Sequence, residues 1–226
     1  MEINELLKIK ALGNLLQYYR SDLTYILNFR RCKQNAISRS KYLLKSPGSF
    51  QSFLNEFRIA KNVPKGNVPK LLNLTMEWVR TNTNKADDVD GFADKLRKEH
   101  VTQEDQTMTS LASKVLFLNN PWVILPCDTL TRLAVGVKTN RYSDFRGAIR
   151  DMLKKGTLLI DYDFLEPVQE YMCAIENEFK GEIHRIRTIR RKRFMDKVLW
   201  TQGQKLALSK ANGTNVLLEG RMSSFK

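Results

Sequence analysis

The chain has 226 residues, with 38 Lys and Arg against 24 Asp and Glu, and so a net charge of +14. Self-repulsion on that scale is usually offset by a polyanion, nucleic acid first and an anionic membrane second. A content of 42% hydrophobic and 27% charged residues excludes extensive disorder, except for a flexible tail expected at 211–226.

No run reaches the ~18 apolar residues of a membrane span. Met1-Glu2-Ile3-Asn4-Glu5 lacks the basic start and apolar run of a signal peptide, so a cytoplasmic protein is expected. Cys32, Cys127 and Cys173 are far apart, and His100 and His184 are the only histidines. That excludes a disulfide framework, a zinc site and an iron–sulfur cluster, and no metal or cofactor is expected.

Helix signals then follow one another. From Ile3 to Phe29 apolar residues recur three and four apart, with Gly13 and Ser21 as potential breaks. Residues 30–48 are polar and end in the loop signal Ser46-Pro47-Gly48. Ser49 can cap a helix carrying Phe50, Phe53, Leu54 and Phe57, which Pro64-Lys65-Gly66 ends. Pro69 suits the first turn of the next, with Leu71, Leu72 and Trp78. A polar loop at Thr81–Asp90 leads to a short helix with Phe92, Ala93 and Leu96. A second polar stretch, Thr102–Thr109, precedes an apolar helix at Ser110–Leu118.

Asn119-Asn120-Pro121 breaks that helix, and Trp122–Pro126 reads as a short extended stretch. Asp128 opens a helix to about Val137. Ser143 and Asp144 open another to Lys155, stopped by Gly156. Phe164 to Phe179 has the pattern of one amphipathic helix, and a long basic helix spans roughly 183–210. The class is all-α. The expected architecture is one unit over 1–226 with two lobes, 1–80 with 160–210 against 85–158.

The segment with chemistry in it is Ser110-Leu-Ala-Ser-Lys114 followed by Pro121-Trp-Val-Ile-Leu-Pro126-Cys-Asp128-Thr129-Leu-Thr-Arg132. A lysine on a short helix, an apolar connector with proline, then an aspartate before a helix bearing arginine resembles the helix-hairpin-helix DNA glycosylases. Leu111-Ala112-Ser113 stands where that family usually carries Gly-x-Gly. Arg193-Phe-Met-Asp196-Lys-Val-Leu-Trp200-Thr-Gln-Gly203 resembles the closing helix of a compact bacterial branch of the same superfamily.

The resemblance implies a two-lobed helical fold that flips a damaged or modified base out of duplex DNA and hydrolyses its N-glycosidic bond as a monomer. The substrate range it implies reaches hypermodified phage pyrimidines such as glucosylated hydroxymethylcytosine. It implies Asp128 as the group that stabilises positive charge on the sugar, against the plainer reading of a helix N-cap. Lys114 has three readings: a Schiff-base nucleophile, a phosphate contact, which is preferred, or a solvated helix residue.

For DNA binding, the run 185–193 holds Arg185, Arg187, Arg190, Arg191, Lys192 and Arg193, with Ile186 and Ile189 marking its buried side. Arg187, Arg190, Arg191 and Arg193 join Ser110 and Arg132 as expected DNA contacts. Asp196 can pair instead with Lys192 or Arg193 on its own helix. Trp122, in the connector, is the expected base-pocket residue, while Trp78 and Trp200 read as core. Two other functions fit the composition: a non-catalytic helical DNA-binding regulator, and an RNA-targeting toxin, whose usual cue of histidine or paired carboxylates is weak here.

Overall fold

Among the described residues of the computed structural model, ten α-helices, linked by turns and three short 3₁₀ segments, form one continuous hydrophobic core. The structure describes residues 4–82, 85–102, 108–177, 179 and 183–222, without the side chains of 173, 175, 183, 184 and 211–222. Among the described residues there is no strand, and no helix is long and apolar enough to cross a membrane. Most of the polar stretch expected at 102–109, and the side chains of Cys173 and His184, lie outside the described residues.

Helix α1 (Glu5–Lys33) is unbroken. A Cβ at Gly13 would meet nothing, and the Ser21 hydroxyl donates back to the Tyr18 carbonyl at 2.9 Å, so neither residue interrupts it. Helices α2 (Arg39–Leu43) and α3 (Phe50–Glu56) pack beside it, each capped by a serine, Ser38 and Ser49. Helix α4 (Val68–Thr81), with proline in its first turn, packs on α5 (Val89–Lys98) and α6 (Thr109–Phe117). It also bonds to the α1–α2 side, through Arg80 to the Lys33 carbonyl at 2.8 Å and Arg39 to Asn73 at 2.7 Å. Helix α6 is buried on all sides, and its lysine goes inside with it.

Helix α7 (Thr129–Ala134) ends where Gly136 takes a positive φ and Val137 N–H bonds back to the Arg132 carbonyl at 3.0 Å. Helix α8 (Tyr142–Lys154) is held at its start by Asp90, which accepts from Tyr142 and Ser143 N–H at 2.7 and 2.9 Å. The single helix expected from Phe164 to Phe179 is instead a 3₁₀ segment at Asp163–Val168 followed by α9 (Gln169–Glu176). Pro167 explains this, because it has no N–H to donate and disfavours helical geometry in the residue before it.

Helix α10 (Ile183–Met222) continues beyond 210, with no proline to stop it; the last four residues lie outside the described ones. It packs along α1 and, most extensively, against α7. Gly203 makes the second contact possible. A Cβ there would collide with the Leu130 carbonyl, which is backbone and cannot swing aside. Two glycines therefore respond oppositely to alanine. Gly13→Ala is expected to stabilise by about 0.5–1 kcal/mol, the helix-propensity gain at an open position. Gly203→Ala is expected to destabilise by about 1–3 kcal/mol, because α7 must shift. Denaturant unfolding of both variants checks this, and a Gly203→Ala as benign as Gly13→Ala would contradict the packing.

Candidate functional site

Asp128 is the N-cap of α7, and its two carboxylate oxygens have separate duties. Oδ1 accepts the Thr131 N–H at 3.0 Å while the Thr131 hydroxyl accepts the Asp128 N–H at 2.9 Å, completing a capping box. Oδ2 lies 3.8 Å from the Lys114 amine. Ser113, beside Lys114, fixes the connector: its hydroxyl accepts the Cys127 N–H at 3.0 Å. The Leu125 N–H donates to the Tyr142 hydroxyl at 2.9 Å. These bonds hold the strandless connector in place of a sheet and set where Asp128 emerges.

Lys114 Nζ donates to the Phe57 carbonyl at 3.1 Å, and the side chain is only 10% exposed. Burial pushes the amine below the ordinary lysine range, and Asp128 reverses this only in part. The reading of Lys114 as a solvated helix residue is therefore corrected: its amine is enclosed, with the Phe57 carbonyl and Asp128 as neighbours. Neighbouring Cys127 is buried, which pushes its thiol up to about 12, so it is not a thiolate nucleophile.

Lys114 and Asp128 stand on the wall of a cleft of about 410 Å³. Helix α1 lends it Tyr18 and Asp22, and α10 lends it Asp196, Lys197 and Trp200. The Lys197 amine sits 4.7 Å from the centre of the Tyr18 ring. Burial lowers the Lys197 amine as well, and Arg193 adds to the effect.

Arg193 forms the floor, buried to 1% exposure. Its guanidinium bonds Asp22 at 2.6 and 2.8 Å and Asp196 at 2.8 Å, and lies 5.6 and 5.0 Å from the centres of the adjacent Phe57 and Phe117 rings. Burial raises the pKa of both carboxyls, and Arg193 pulls them back down.

The expected DNA contacts divide accordingly. Arg193 is occupied as just described. Arg190 is buried too, donating to Glu176 at 2.9 and 2.5 Å, and Tyr19 donates to the same carboxylate at 2.6 Å. Both are corrected from DNA contacts to interior ion pairs. The reason is periodicity: Arg190 follows Ile186 by four residues, and Arg193 follows Ile189 by four, so both share the buried side of the helix. Arg187 and Arg191 are exposed, Arg191 lying over the Tyr162 ring. Ser110 is half-buried at the start of α6, and Arg132 donates to the Thr139 carbonyl at 3.1 Å. None of these four lines the cleft.

The tryptophans exchange roles. Trp122 is stacked against the guanidinium groups of Arg30 and Arg185, at 5.0 and 4.7 Å, and lies away from the cleft. Trp200 lines it, and Trp78 packs on Phe92. The base-pocket expectation for Trp122 is thus corrected, because the connector turns at Asn120–Ile124 and presents its indole to α1 and α10. Tyr18, Asp22, Lys197 and Trp200 went unselected by sequence reasoning. Asp22 carried a readable signal: it falls on the apolar stripe of Leu15, Tyr19 and Ile26, where a lone charge needs a buried partner.

Comparison with protein-family models, curated proteins and solved structures finds no match to this chain. The site therefore stands on its own geometry. Arg193→Met is expected to cost about 3–5 kcal/mol, the scale for leaving buried charges uncompensated. Arg187→Met, at an exposed position of the same helix, is expected to stay within about 0.5 kcal/mol. Equal effects in denaturant unfolding would contradict the interior placement of Arg193.

Proposed function

We propose that this chain is a monomeric, cytoplasmic DNA glycosylase of the helix-hairpin-helix kind, drawing a modified base from duplex DNA and cleaving its N-glycosidic bond. The observation that carries this reading is the Lys114–Asp128 pair, 3.8 Å apart beside Tyr18 and Trp200 in one cleft. Departure of a base leaves positive charge on the sugar, and a fixed carboxylate stabilises that charge and orients the attacking water. The cap engages Asp128 Oδ1, so Oδ2 is the oxygen offered to the sugar. Trp200, on the cleft wall, offers an aromatic surface for a flipped base. The cleft volume falls within the roughly 300–1,000 Å³ of small-molecule sites.

The meeting of the two resembling segments also supports the reading. Ser113-Lys114 and Asp128 come from one, Trp200 and Gly203 from the other, and they converge where α7 crosses α10.

The lowered Lys114 amine favours a second reading of the same site. A neutral amine attacks C1′, the base leaves with the bonding electrons and takes up a proton, and ring opening gives an imine. Under this reading the rate climbs as pH rises through the lysine pKa, which lies below the ordinary lysine value.

The test is single-turnover base release from duplexes with oxidised, alkylated and hypermodified bases, glucosylated hydroxymethylcytosine included. Asp128→Asn should keep its melting temperature, because asparagine caps a helix about as well as aspartate. It should lose ~10²-fold or more in base release. Borohydride trapping that is abolished in Lys114→Ala selects the imine route; absence of trapping selects direct hydrolysis. An Asp128→Asn that folds and excises like the parent would end the catalytic assignment.

A further inference from the structure

Helix α8 exposes Arg146, Arg150 and Lys154, each four residues from the next and so aligned on one face. Among the described residues, none of the three has a carboxylate within ion-pairing distance. Like charges at this spacing weaken the helix that bears them. Among the described residues, no ion pair offsets that repulsion.

The three cations line a second cleft, of about 740 Å³, between α8, the start of α5 and α10. Its acids are already engaged at the N-terminal end of α8. Asp87 accepts from Asn120 at 2.8 Å, Asp88 caps α5 through the Gly91 N–H at 2.9 Å, and Asp90 holds the first turn of α8. The stripe runs away from them. On the far wall Lys192 is half-buried and donates to the Val123 carbonyl at 3.1 Å. Burial lowers its amine and Arg146 lowers it further, with no carboxylate acting in the other direction. An anion is the partner that the far end of the stripe, at Arg150 and Lys154, lacks. Three charges spread over about 12 Å of helix, at ~1.5 Å rise per residue, suit a chain of phosphates better than a single one.

We propose that the α8 stripe is a phosphate-backbone track that holds one strand of duplex DNA. The proposal rests on the glycosylase reading, in that the strand gripped by α8 flanks the base drawn into the Lys114–Asp128 cleft. Helix α10 links the two, giving Met195 to one cleft and Asp196 to the other. The sequence-independent grip on DNA then belongs chiefly to α8, and not to the arginine run of 185–193, two of whose members are interior.

The experiment is binding of an undamaged duplex as a function of salt, which needs no knowledge of the excised base. Each phosphate contact contributes ~0.9 to the slope of log affinity against log salt. The triple variant Arg146→Gln/Arg150→Gln/Lys154→Gln should lower that slope by about 2.7, and Arg150→Gln alone by about 0.9. Melting temperatures should hold or rise, since the substitutions remove repulsion. An unchanged slope in both variants, or a parent that does not bind duplex at low salt, would overturn the track. Base release by the same proteins keeps the two ideas apart. Excision with an unchanged slope rejects the track and leaves the cleft assignment. A reduced slope without excision on any duplex does the reverse.

Discussion

Arg193 enters the interior from α10 with its full charge, and the arrangement around it organises the rest of the molecule. A guanidinium cannot be taken out of water without partners, so two carboxylates must come with it. Asp22 brings α1 and Asp196 comes from α10 itself, while the neighbouring rings of Phe57 and Phe117 both lie against the group. Four parts of the chain, separated by up to 171 positions, are thereby fixed around one ion. Hydrophobic burial holds the helices together, but it is non-directional. The directional hydrogen bonds of Arg193 decide their register, and the cleft lies directly above them.

The walls of that cleft follow from similar constraints. Gly203 lets α7 approach α10 until their backbones touch, which brings Asp128 and Trp200 to one opening. The capping box commits one Asp128 oxygen to the fold and leaves the other beside Lys114. The plain reading of Asp128 as a helix cap and the chemical one are therefore compatible, because they use different oxygens. Burial of α6 does the same for Lys114: a residue that would be solvated on a surface helix becomes a desolvated amine.

Much of the helical layout was legible because apolar spacing and breakers report local structure directly. Pro69, Asp128 and Gly156 mark boundaries close to those observed. Errors arose where a local signal was outweighed or overlooked. Gly13 and Ser21 did not break α1, because its apolar stripe packs along its length; Pro167 did break the segment at 163–176. Among site residues singled out in the sequence, Lys114 and Asp128 line one cleft. Charge composition misplaced Arg190 and Arg193, although Ile186 and Ile189 already marked the side they share. Trp122 and Trp200 could not be told apart locally, since which indole reaches the cleft depends on the α7–α10 crossing. Asp22 pairs with a residue 171 positions away, and no local pattern names that partner.

The most direct measurement of the central claim, that Asp128 stabilises a positively charged sugar, bypasses the identity of the base. Affinity is compared for two duplexes that differ at one position. One carries a protonated pyrrolidine ring in place of the deoxyribose, and the other a neutral tetrahydrofuran ring. Transition-state mimics bind ~10²-fold or more tightly than neutral counterparts when a site is built for the charge. A preference of that order for the pyrrolidine duplex is expected in the parent and should collapse in Asp128→Asn, with tetrahydrofuran binding unchanged. Equal affinity of the parent for both duplexes, or a preference that survives Asp128→Asn, would contradict that claim.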